Sequence, residues 1–309
     1  MKSVRAFAPA TVANVSCGFD ILGFALESLG DTVELGLRET SGLVVTSIEG
    51  DNGKLPYEPE KNTCSIAIQA MLDDLGSRAG FDIKLKKGLP LGSGMGSSAA
   101  SAIAALIAAN YLLGNPYERK DLLPFAIASE KVACGAGHAD NVAPSLLGGF
   151  VLIRDYSPLD LVKLHVPKNL YCTLLHPHYQ LNTSDSRSVL RQKVPLKDAT
   201  IQSGNVAGLV SGLFLEDYGL ISRSLRDVIA EPDRAALLPG FYEVKEAVKS
   251  AGALGMGISG SGPTLFVLSE GKEKAPAIAK AASEVFTKIG LGLDIYFSSI
   301  NTQGATLIE

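Results

Sequence analysis

A stretch of alternating glycine and small residues contains the groups best suited to hold a charged ligand. Glycines leave backbone N–H groups open to an anion, and the helix expected behind them adds a partial positive charge at its first turn. A polyphosphate is the ligand that best fits such a loop, and a plain turn before a buried helix is the alternative. The stretch comprises Pro90, Leu91, Gly92, Ser93, Gly94, Met95, Gly96, Ser97, Ser98, Ala99, Ala100 and Ser101.

Two familiar phosphate motifs do not fit this stretch. A Walker A loop ends in Gly-Lys-Ser/Thr, which is missing here, and the dinucleotide pattern Gly-x-Gly-x-x-Gly needs glycine where the chain has Ser97. The sequence therefore indicates a third kind of phosphate loop.

Polar side chains in two further loops are candidates for binding a small substrate. Asn14 and Asp20 bracket a loop of small and apolar residues, although each alone is also typical of a cap or an Asx turn. His138, Asp140 and Asn141 stand among glycine and alanine. A lone histidine is more often structural, but polar loops are where sites are usually built.

Strands and helices interleave through both halves of the chain, which predicts an α/β or α+β protein. The alternation of Phe81–Leu85 predicts a strand that runs into the glycine stretch, and the apolar run 99–113 predicts a central, buried helix. Pro9 is expected to place the end of the first strand at an edge or turn. Two long helices are expected over 198–230.

Composition limits the classes of function. A length of 309 residues favours about two domains, and a net charge of -4 argues against a protein that coats nucleic acid. The first residues lack the apolar core of a signal peptide, and the run 99–113 is too short and too polar for a membrane span. The four cysteines have no metal-ligand spacing and are typical of reduced cytosolic thiols; they are Cys17, Cys64, Cys134 and Cys172. We therefore expect a soluble cytoplasmic protein.

Three motifs in order along the chain resemble the GHMP kinase superfamily, and within it the homoserine kinases. They are Pro9–Leu26, Pro90–Ser101 and Gly257–Phe266, named here the first, second and third motifs. Asn14 with Gly18-Phe19-Asp20 differs from what mevalonate and galactose kinases carry. The resemblance implies an α+β fold in two parts, like the second domain of ribosomal protein S5 in residues 1–166 and ferredoxin-like in 167–309.

The resemblance further implies an activity: ATP-dependent phosphorylation of the side-chain hydroxyl of L-homoserine to O-phospho-L-homoserine, in threonine biosynthesis. One alternative is another GHMP kinase, acting on a mevalonate-type or sugar alcohol, although such substrates lack an ammonium for Asp20. The other is a non-catalytic binding protein of the same fold. No nucleic-acid or membrane partner is expected, and a homodimer stays an open alternative.

Homoserine presents an ammonium, a carboxylate and a hydroxyl. Asp20 offers a carboxylate for the ammonium, and Asn14 can support either end. The guanidinium forks of Arg187 and Arg234 suit the carboxylate, the alternative being solvated surface arginines. Three further residues of this sequence resemble the family's remaining substrate contacts, namely His138, Asp140 and Thr183.

For ATP, the resemblance implies that the second motif binds the phosphates. Ser98 and Glu130 resemble the magnesium contacts, and oxygen ligands suit that hard ion. Asn62 resembles the adenine contact. Lys87 could lie near the phosphates or be a solvated residue at the strand edge, and its role stays open. The third glycine loop contributes Gly260, Ser261 and Gly262.

Two departures from the pattern matter. Many homoserine kinases carry Gly-Pro where this chain has Ser16-Cys17, and several GHMP kinases use an aspartate base where it has Asn141. An amide cannot accept the hydroxyl proton, but phosphoryl transfer mainly requires alignment and charge neutralisation. We therefore expect direct attack by an aligned hydroxyl, with Asn141, Ser98 and Glu130 as the catalytic residues. Asp140 is expected to hold the ammonium, with a role as base as the alternative.

Overall fold

The computed structural model describes residues 3–134 and 137–308, without the side chains of Ala133 and Cys134. The prediction of a reduced thiol at Cys134 therefore lies outside the described residues, as do Met1 and Lys2 of the segment tested for a signal peptide. The other three cysteines are buried and free. No helix in the described part of the chain is both long and apolar enough to cross a membrane.

The strands form two sheets. The first runs in the order β11-β1-β2-β4-β3, with β5 paired to β2 and β6 to β5, and the second in the order β10-β7-β9-β8. Only the β3–β4 pair is parallel among the described strand pairs. The strands are β1 (Ser3–Ala13), β2 (Leu22–Arg38), β3 (Gly42–Glu49), β4 (Gly80–Lys86), β5 (Phe150–Tyr156), β6 (Leu159–Leu164), β7 (Leu170–Pro177), β8 (Gly255–Ile258), β9 (Leu265–Glu270), β10 (Leu293–Ser299) and β11 (Thr306–Ile308).

Helices cover both sheets, so the predicted mixture of helices and strands is confirmed. The chain passes from the first sheet to the second between β6 and β7, and β11 returns to the first. The domain boundary between residues 166 and 167 stays a prediction. The helices are α1 (Thr63–Leu75), α2 (Ser97–Leu112), α3 (Leu123–Cys134), α4 (Ala139–Leu147), α5 (Thr183–Ser188), α6 (Leu196–Leu215), α7 (Tyr218–Ser224), α8 (Glu231–Arg234), α9 (Phe241–Ser250) and α10 (Ala275–Lys288).

Helix α2 is the centre of the first half. Its alanines, Ile103 and Leu106 are buried on nearly every side, as the all-round apolar pattern predicts. It packs with α1, α3 and α4 against the first sheet in one core. A second core joins the two sheets, where the Phe24 ring lies 4.7 Å from Phe150 and 6.0 Å from Phe266, centroid to centroid. The site loops are therefore attached to one packed body.

Two local predictions are wrong. The first strand does not end at Pro9 but continues to Ala13, although β1 is an edge at Pro9, where it pairs with β2 and not with β11. The expected pair of long helices over 198–230 is one long helix and a seven-residue helix, α7. Glu216 in the left-handed conformation ends α6, and the Asp217 side chain caps α7.

Candidate active site

A cavity of about 440 Å³ gathers most of the candidate residues from all three motifs. Its volume lies in the range of small-molecule sites, roughly 300–1,000 Å³. Of the predicted site residues, Pro90, Met95, Ala99, Ala100 and Gly262 are not among those that line it. The predicted residues that do line it are Asn14, Asp20, Asn62, Leu91, Gly92, Ser93, Gly94, Gly96, Ser97, Ser98, Glu130, His138, Asp140, Asn141, Thr183, Arg187, Arg234, Gly260 and Ser261.

Hydrogen bonds to backbone carbonyls tie the three motifs together. The Thr11 N–H donates to the Met95 carbonyl at 3.0 Å, which joins the first motif to the second. The Asn14 amide nitrogen donates to the Gly260 carbonyl at 2.8 Å, which joins the first to the third. The Ser259 hydroxyl donates to the Gly94 carbonyl at 2.8 Å and closes the triangle. Three segments that are far apart in the sequence thus form one hydrogen-bonded floor of the cavity.

Two glycines of the second motif make this approach sterically possible. Gly96 has φ 67°, and a Cβ there would lie 2.0 Å from the Thr11 hydroxyl. Gly94 has φ 79°, and its Cβ would lie 2.5 Å from the Ser259 carbonyl oxygen. Any side chain would push the loop away from the other motifs.

Behind the loop, α2 begins at Ser97 with Gly96 as its N-cap and no acidic residue in its first turn. Its first N–H groups have no partner within the helix, and the helix dipole favours an anion in front of them. The start of α2 is therefore suited to phosphate oxygens.

Lys87 lines the same cavity, but its ammonium is held by a buried network. Its Nζ pairs with the fully buried carboxylate of Asp31 and donates to the Ser101 hydroxyl at 2.7 Å and the Ser97 carbonyl at 3.0 Å. The Ser101 hydroxyl also donates to Asp31, at 2.7 Å. This network fixes the first turn of α2 to the end of β4.

Glu130, near the end of α3, is a buried carboxylate with an unsatisfied oxygen. Its Oε1 has no hydrogen-bond partner among the described residues. Burial raises the pKa of Glu130 above its ordinary value, while a hydrogen bond from Ser98 and the charge of Lys87 lower it. A hard cation would satisfy such an oxygen, so Glu130 and Ser98 fit a magnesium ion. Residues 3–134 and 137–308 contain no cluster of three or more acidic, histidine or cysteine side chains able to hold a metal by themselves.

Asn141 has a fixed orientation. The Thr11 hydroxyl, fully buried in β1, donates to the Asn141 Oδ1 at 2.7 Å. Because the carbonyl end of the amide is engaged, the Nδ2 donors are left for a ligand in the cavity that Asn141 lines.

The two charged groups predicted to grip opposite ends of homoserine contact one another. Arg187 donates from Nη2 to Asp20 Oδ1 at 3.0 Å and from Nη1 to Oδ2 at 3.3 Å. Asn14 Oδ1 accepts from the Asp20 N–H at 3.0 Å, and His138 Nδ1 lies 3.7 Å from Asp20 Oδ2. Asp20 is thus the centre of a polar cluster, placed by the first motif.

Arg234 is the most deeply buried arginine of the cavity, with 5% of its surface exposed. It donates from Nε to the Ser186 carbonyl and from Nη1 to the Gly260 carbonyl, both at 3.0 Å. Burial, followed by the charge of Arg187, lowers its pKa. Its Nη2 has no hydrogen-bond partner among the described residues, so a ligand carboxylate can take that position.

Asp140, in the first turn of α4, and His138, the N-cap residue of that helix, have shifted pKa values. Burial, followed by the charge of Asp20, raises the pKa of Asp140 to about 7. Burial also lowers the pKa of His138, although the charge of Asp20 opposes this. Both shifts come from removing charge from water, so a positively charged ligand next to Asp140 would favour its ionised form.

The remaining predicted residues have partners of their own. Asn62 is the N-cap of α1, where its side chain accepts from the Cys64 N–H at 3.1 Å and donates to the Pro56 carbonyl at 3.0 Å. The Thr183 hydroxyl lies 3.2 Å from that of Ser261. Their polar atoms shape the cavity wall.

The first motif has an unusual backbone. Asn14, Val15 and Ser16 are consecutive residues with positive φ, at 70°, 41° and 59°. Such conformations are unfavourable for residues with a Cβ, particularly for a β-branched one. Ser16, where the resemblance implies glycine, also has a buried hydroxyl without a partner among the described residues. Ser16 therefore adopts a left-handed conformation that glycine would adopt without steric cost.

Sequence reasoning missed two residues of the site. Thr11 orients Asn141 from 130 positions away, and no local pattern marks it. The Tyr156 hydroxyl at the end of β5 donates to the Asp20 carbonyl at 2.7 Å and accepts from the Ala139 N–H at 3.3 Å. It connects the first motif to the start of α4.

Comparisons with known families agree with this arrangement. The family described as GHMP kinases N terminal domain matches residues 62–149, and the one described as GHMP kinases C terminal matches residues 209–288. A crystal structure titled mevalonate kinase superposes with a TM-score of 0.73 at 16% identity, covering 98% of this chain and all of the other, which shows a shared fold. The two-part α+β fold is confirmed.

More similar proteins share one description. The homoserine kinase of Chlorobaculum tepidum is 52% identical, covering all of this chain and 99% of the relative. That of Chlorobium phaeovibrioides is 53% identical, covering all of both chains. The crystal structure of homoserine kinase from Cytophaga hutchinsonii superposes with a TM-score of 0.96 at 54% identity, covering all of this chain and 98% of that one. Because its similarity to homoserine kinases extends over its full length at 52–54% identity, this chain belongs to the homoserine kinase family of the GHMP kinases.

Proposed function

We propose that this protein transfers the γ-phosphoryl group of ATP to the side-chain hydroxyl of L-homoserine, forming O-phospho-L-homoserine for threonine biosynthesis. One observation supports this most directly. A single cavity holds the start of α2, suited to phosphates, beside acidic and basic groups that complement a zwitterionic amino acid.

The amino-acid end of the substrate would lie among the charged cluster. Asp20 and Asp140 would attract the ammonium, with Asn14, His138 and Thr183 as further polar contacts. Arg187 and Arg234 would bind the carboxylate. In the free protein Asp20 and Arg187 pair with each other, and the substrate would replace each partner with a group of the same charge.

The nucleotide end would lie along the second motif. The backbone N–H groups of residues 92–98 would bind the phosphates, with Asn62 beside the base and the third glycine loop closing the floor. Glu130 and Ser98 would hold magnesium, which when bound neutralises phosphate charge. The unsatisfied Oε1 of Glu130 supports this assignment.

In the proposed reaction, the homoserine hydroxyl oxygen forms a bond to the γ-phosphorus while the bond from that phosphorus to the bridging oxygen of ADP breaks. Asn141, oriented by Thr11, would hold the hydroxyl in line through its amide nitrogen. The hydroxyl proton passes to a transferred phosphoryl oxygen and then to solvent. No strong base is required, because a loose transition state mainly needs alignment and charge neutralisation.

A substrate panel tests the proposal. With Mg-ATP, the purified protein should show a far higher kcat/KM for L-homoserine than for mevalonate, galactose or L-serine. A higher value for one of the other alcohols would refute the homoserine assignment and leave a GHMP kinase of another specificity. No turnover of any alcohol, with ATP still bound, would favour the non-catalytic binding protein. The proposal places the reaction in the cytoplasm and leaves a homodimer open.

A further inference from the structure

Two arginines of the proposed carboxylate site share one aromatic ring. The guanidinium carbon of Arg234 lies 5.0 Å from the centroid of the Phe19 ring, and that of Arg187 lies 5.7 Å from the same centroid. Both distances are within the range of about 6 Å in which a cation is attracted by the ring quadrupole. Phe19 itself does not line the large cavity, so it supports the arginines from behind.

Holding two guanidinium groups together needs such a partner. Their like charges repel, and the charge of Arg187 adds to burial in lowering the pKa of Arg234. Arg187 has a carboxylate partner in Asp20, whereas Arg234 is held by the neutral carbonyls of Ser186 and Gly260. When a substrate ammonium engages Asp20, as proposed, Arg187 loses part of that compensation as well.

An aromatic ring has a property that a further carboxylate would lack. It attracts both cations without neutralising them, so it does not compete with an incoming carboxylate. The ring also has a fixed place, because its neighbours in the chain are held by hydrogen bonds. The Ile21 and Leu22 N–H groups donate to the Gly18 carbonyl, at 3.0 Å and 2.9 Å, and the Asp20 N–H donates to Asn14.

We infer that Phe19 is a positioning residue whose ring holds Arg187 and Arg234 ready for the substrate carboxylate, an inference that rests on the proposed function. It acts through the arginines and touches no reacting atom. Phe19 therefore contributes to the selection of an amino acid over a simple amino alcohol.

The test compares two ligands that differ only in the carboxylate. L-homoserine serves as substrate, and 3-aminopropan-1-ol, which lacks the carboxylate, serves as a competing ligand with its own inhibition constant. Phe19→Leu should raise the KM for L-homoserine about tenfold, with kcat and the KM for ATP changed less than twofold. The inhibition constant of 3-aminopropan-1-ol should stay the same.

Two further variants separate the ring's charge distribution from its shape. Replacing Phe19 by 3,4,5-trifluorophenylalanine keeps the shape and weakens the quadrupole, so it should also raise the KM for L-homoserine, by a smaller factor. Tyr242→Leu removes an exposed aromatic residue of α9 and should change nothing.

Other outcomes overturn the inference. An equal loss of affinity for both ligands, or for ATP, would make Phe19 a purely structural residue. An unchanged KM in the fluorinated variant would show that the ring acts by shape alone. Failure of the unmodified protein to phosphorylate L-homoserine would refute the proposed function itself, which is a separate result.

Discussion

Asp20 and Arg187 illustrate how a site of charged groups is kept stable without its ligand. Both side chains are partly exposed, and their bidentate contact lets each charge compensate the other. A zwitterionic amino acid offers an ammonium to the one and a carboxylate to the other. In the proposed complex, the substrate would therefore replace part of the contact between Asp20 and Arg187 with groups of matching charge.

Asp140 gives the first prediction, because its two assigned roles have different kinetic consequences. Asp140→Asn should raise the KM for L-homoserine and keep kcat within about tenfold, since a ground-state ammonium contact is lost equally from the transition state. In the unmodified protein the KM should fall as the pH rises through about 7, where Asp140 ionises. The variant should lack this dependence. Steady-state kinetics from pH 6 to 8 measure both.

A collapse of kcat by ~10²–10⁴ at saturating homoserine, with ATP still bound, would instead identify Asp140 as the general base. Its pKa of about 7 also suits that role, so the experiment decides between the two.

Glu130 gives the second prediction. Glu130→Gln keeps the shape of the side chain but removes a charge from the proposed magnesium site. The magnesium concentration for half-maximal rate should increase, and kcat should fall. Titration of the rate with magnesium at fixed ATP measures this. Glu118→Gln, an exposed residue, is the matched control, and an identical magnesium titration in both variants would exclude Glu130 from metal binding.

At the scale of elements, the start of α2 is the feature that the surrounding structure holds in place. Gly94 and Gly96 let the loop approach the other two motifs, and the Asp31–Lys87 pair fixes the helix from behind. Because Asp31 already neutralises Lys87, the place of Lys87 in the cavity wall is better explained by support of α2 than by direct contact with a bound phosphate.

The third prediction concerns this buried pair. Lys87→Met should lower the free energy of unfolding by ~3–5 kcal/mol, because the fully buried Asp31 carboxylate would lose its compensating charge. Lys84→Met is the matched control, since it breaks an exposed ion pair with Glu34 at 2.9 Å and should cost far less. Urea denaturation measures both. Equal losses would show that Asp31 is compensated by its other hydrogen bonds, from Ser101 and Gly88.

The sequence predicts those elements whose pattern is local. The glycine spacing is enough to predict the phosphate loop of the second motif, and the apolar run behind it is enough to predict α2. Their position at the cavity follows once the three motifs are identified. Contacts that depend on tertiary packing leave no local pattern. The Thr11–Asn141 and Tyr156–Asp20 hydrogen bonds each span at least 130 residues, and neither could be predicted. The pairing of Asp20 with Arg187 was likewise hidden, although each residue was predicted.

At the scale of the whole molecule, the site is formed between the two sheets and is stabilised by their shared core. Phe24 and Phe150 of the first sheet pack with Phe266 of the second, next to the floor made by the three motifs. Ionisable groups buried at this junction therefore affect the free energy of unfolding as well as ligand binding. A change in their protonation changes both quantities.

The fourth prediction is that Asp140 makes the protein less stable as the pH rises toward neutrality. Its pKa is raised from 3.8 to about 7 on folding, so between these values the folded protein binds a proton that the unfolded chain has released. Stability then falls with increasing pH, by about 1.4 kcal/mol per pH unit within this window, and levels off above pH 7. His138 and His176 act in the opposite sense at lower pH, because their pKa values are lowered by burial and protonation of the unfolded chain costs stability.

The comparison of the unmodified protein with Asp140→Asn isolates this effect, because both proteins share the two histidines and every other titrating group. The difference in free energy of unfolding between the two proteins should shift in favour of the variant as the pH rises from 5 to 7, and level off between pH 7 and 8. Urea denaturation at each pH without ligand gives these values, and Asp121→Asn, which removes an exposed carboxylate, should show no such trend. A difference that is the same at pH 5 and pH 7 would mean that Asp140 is ionised in the folded protein throughout. The pH dependence of homoserine binding would then need another group.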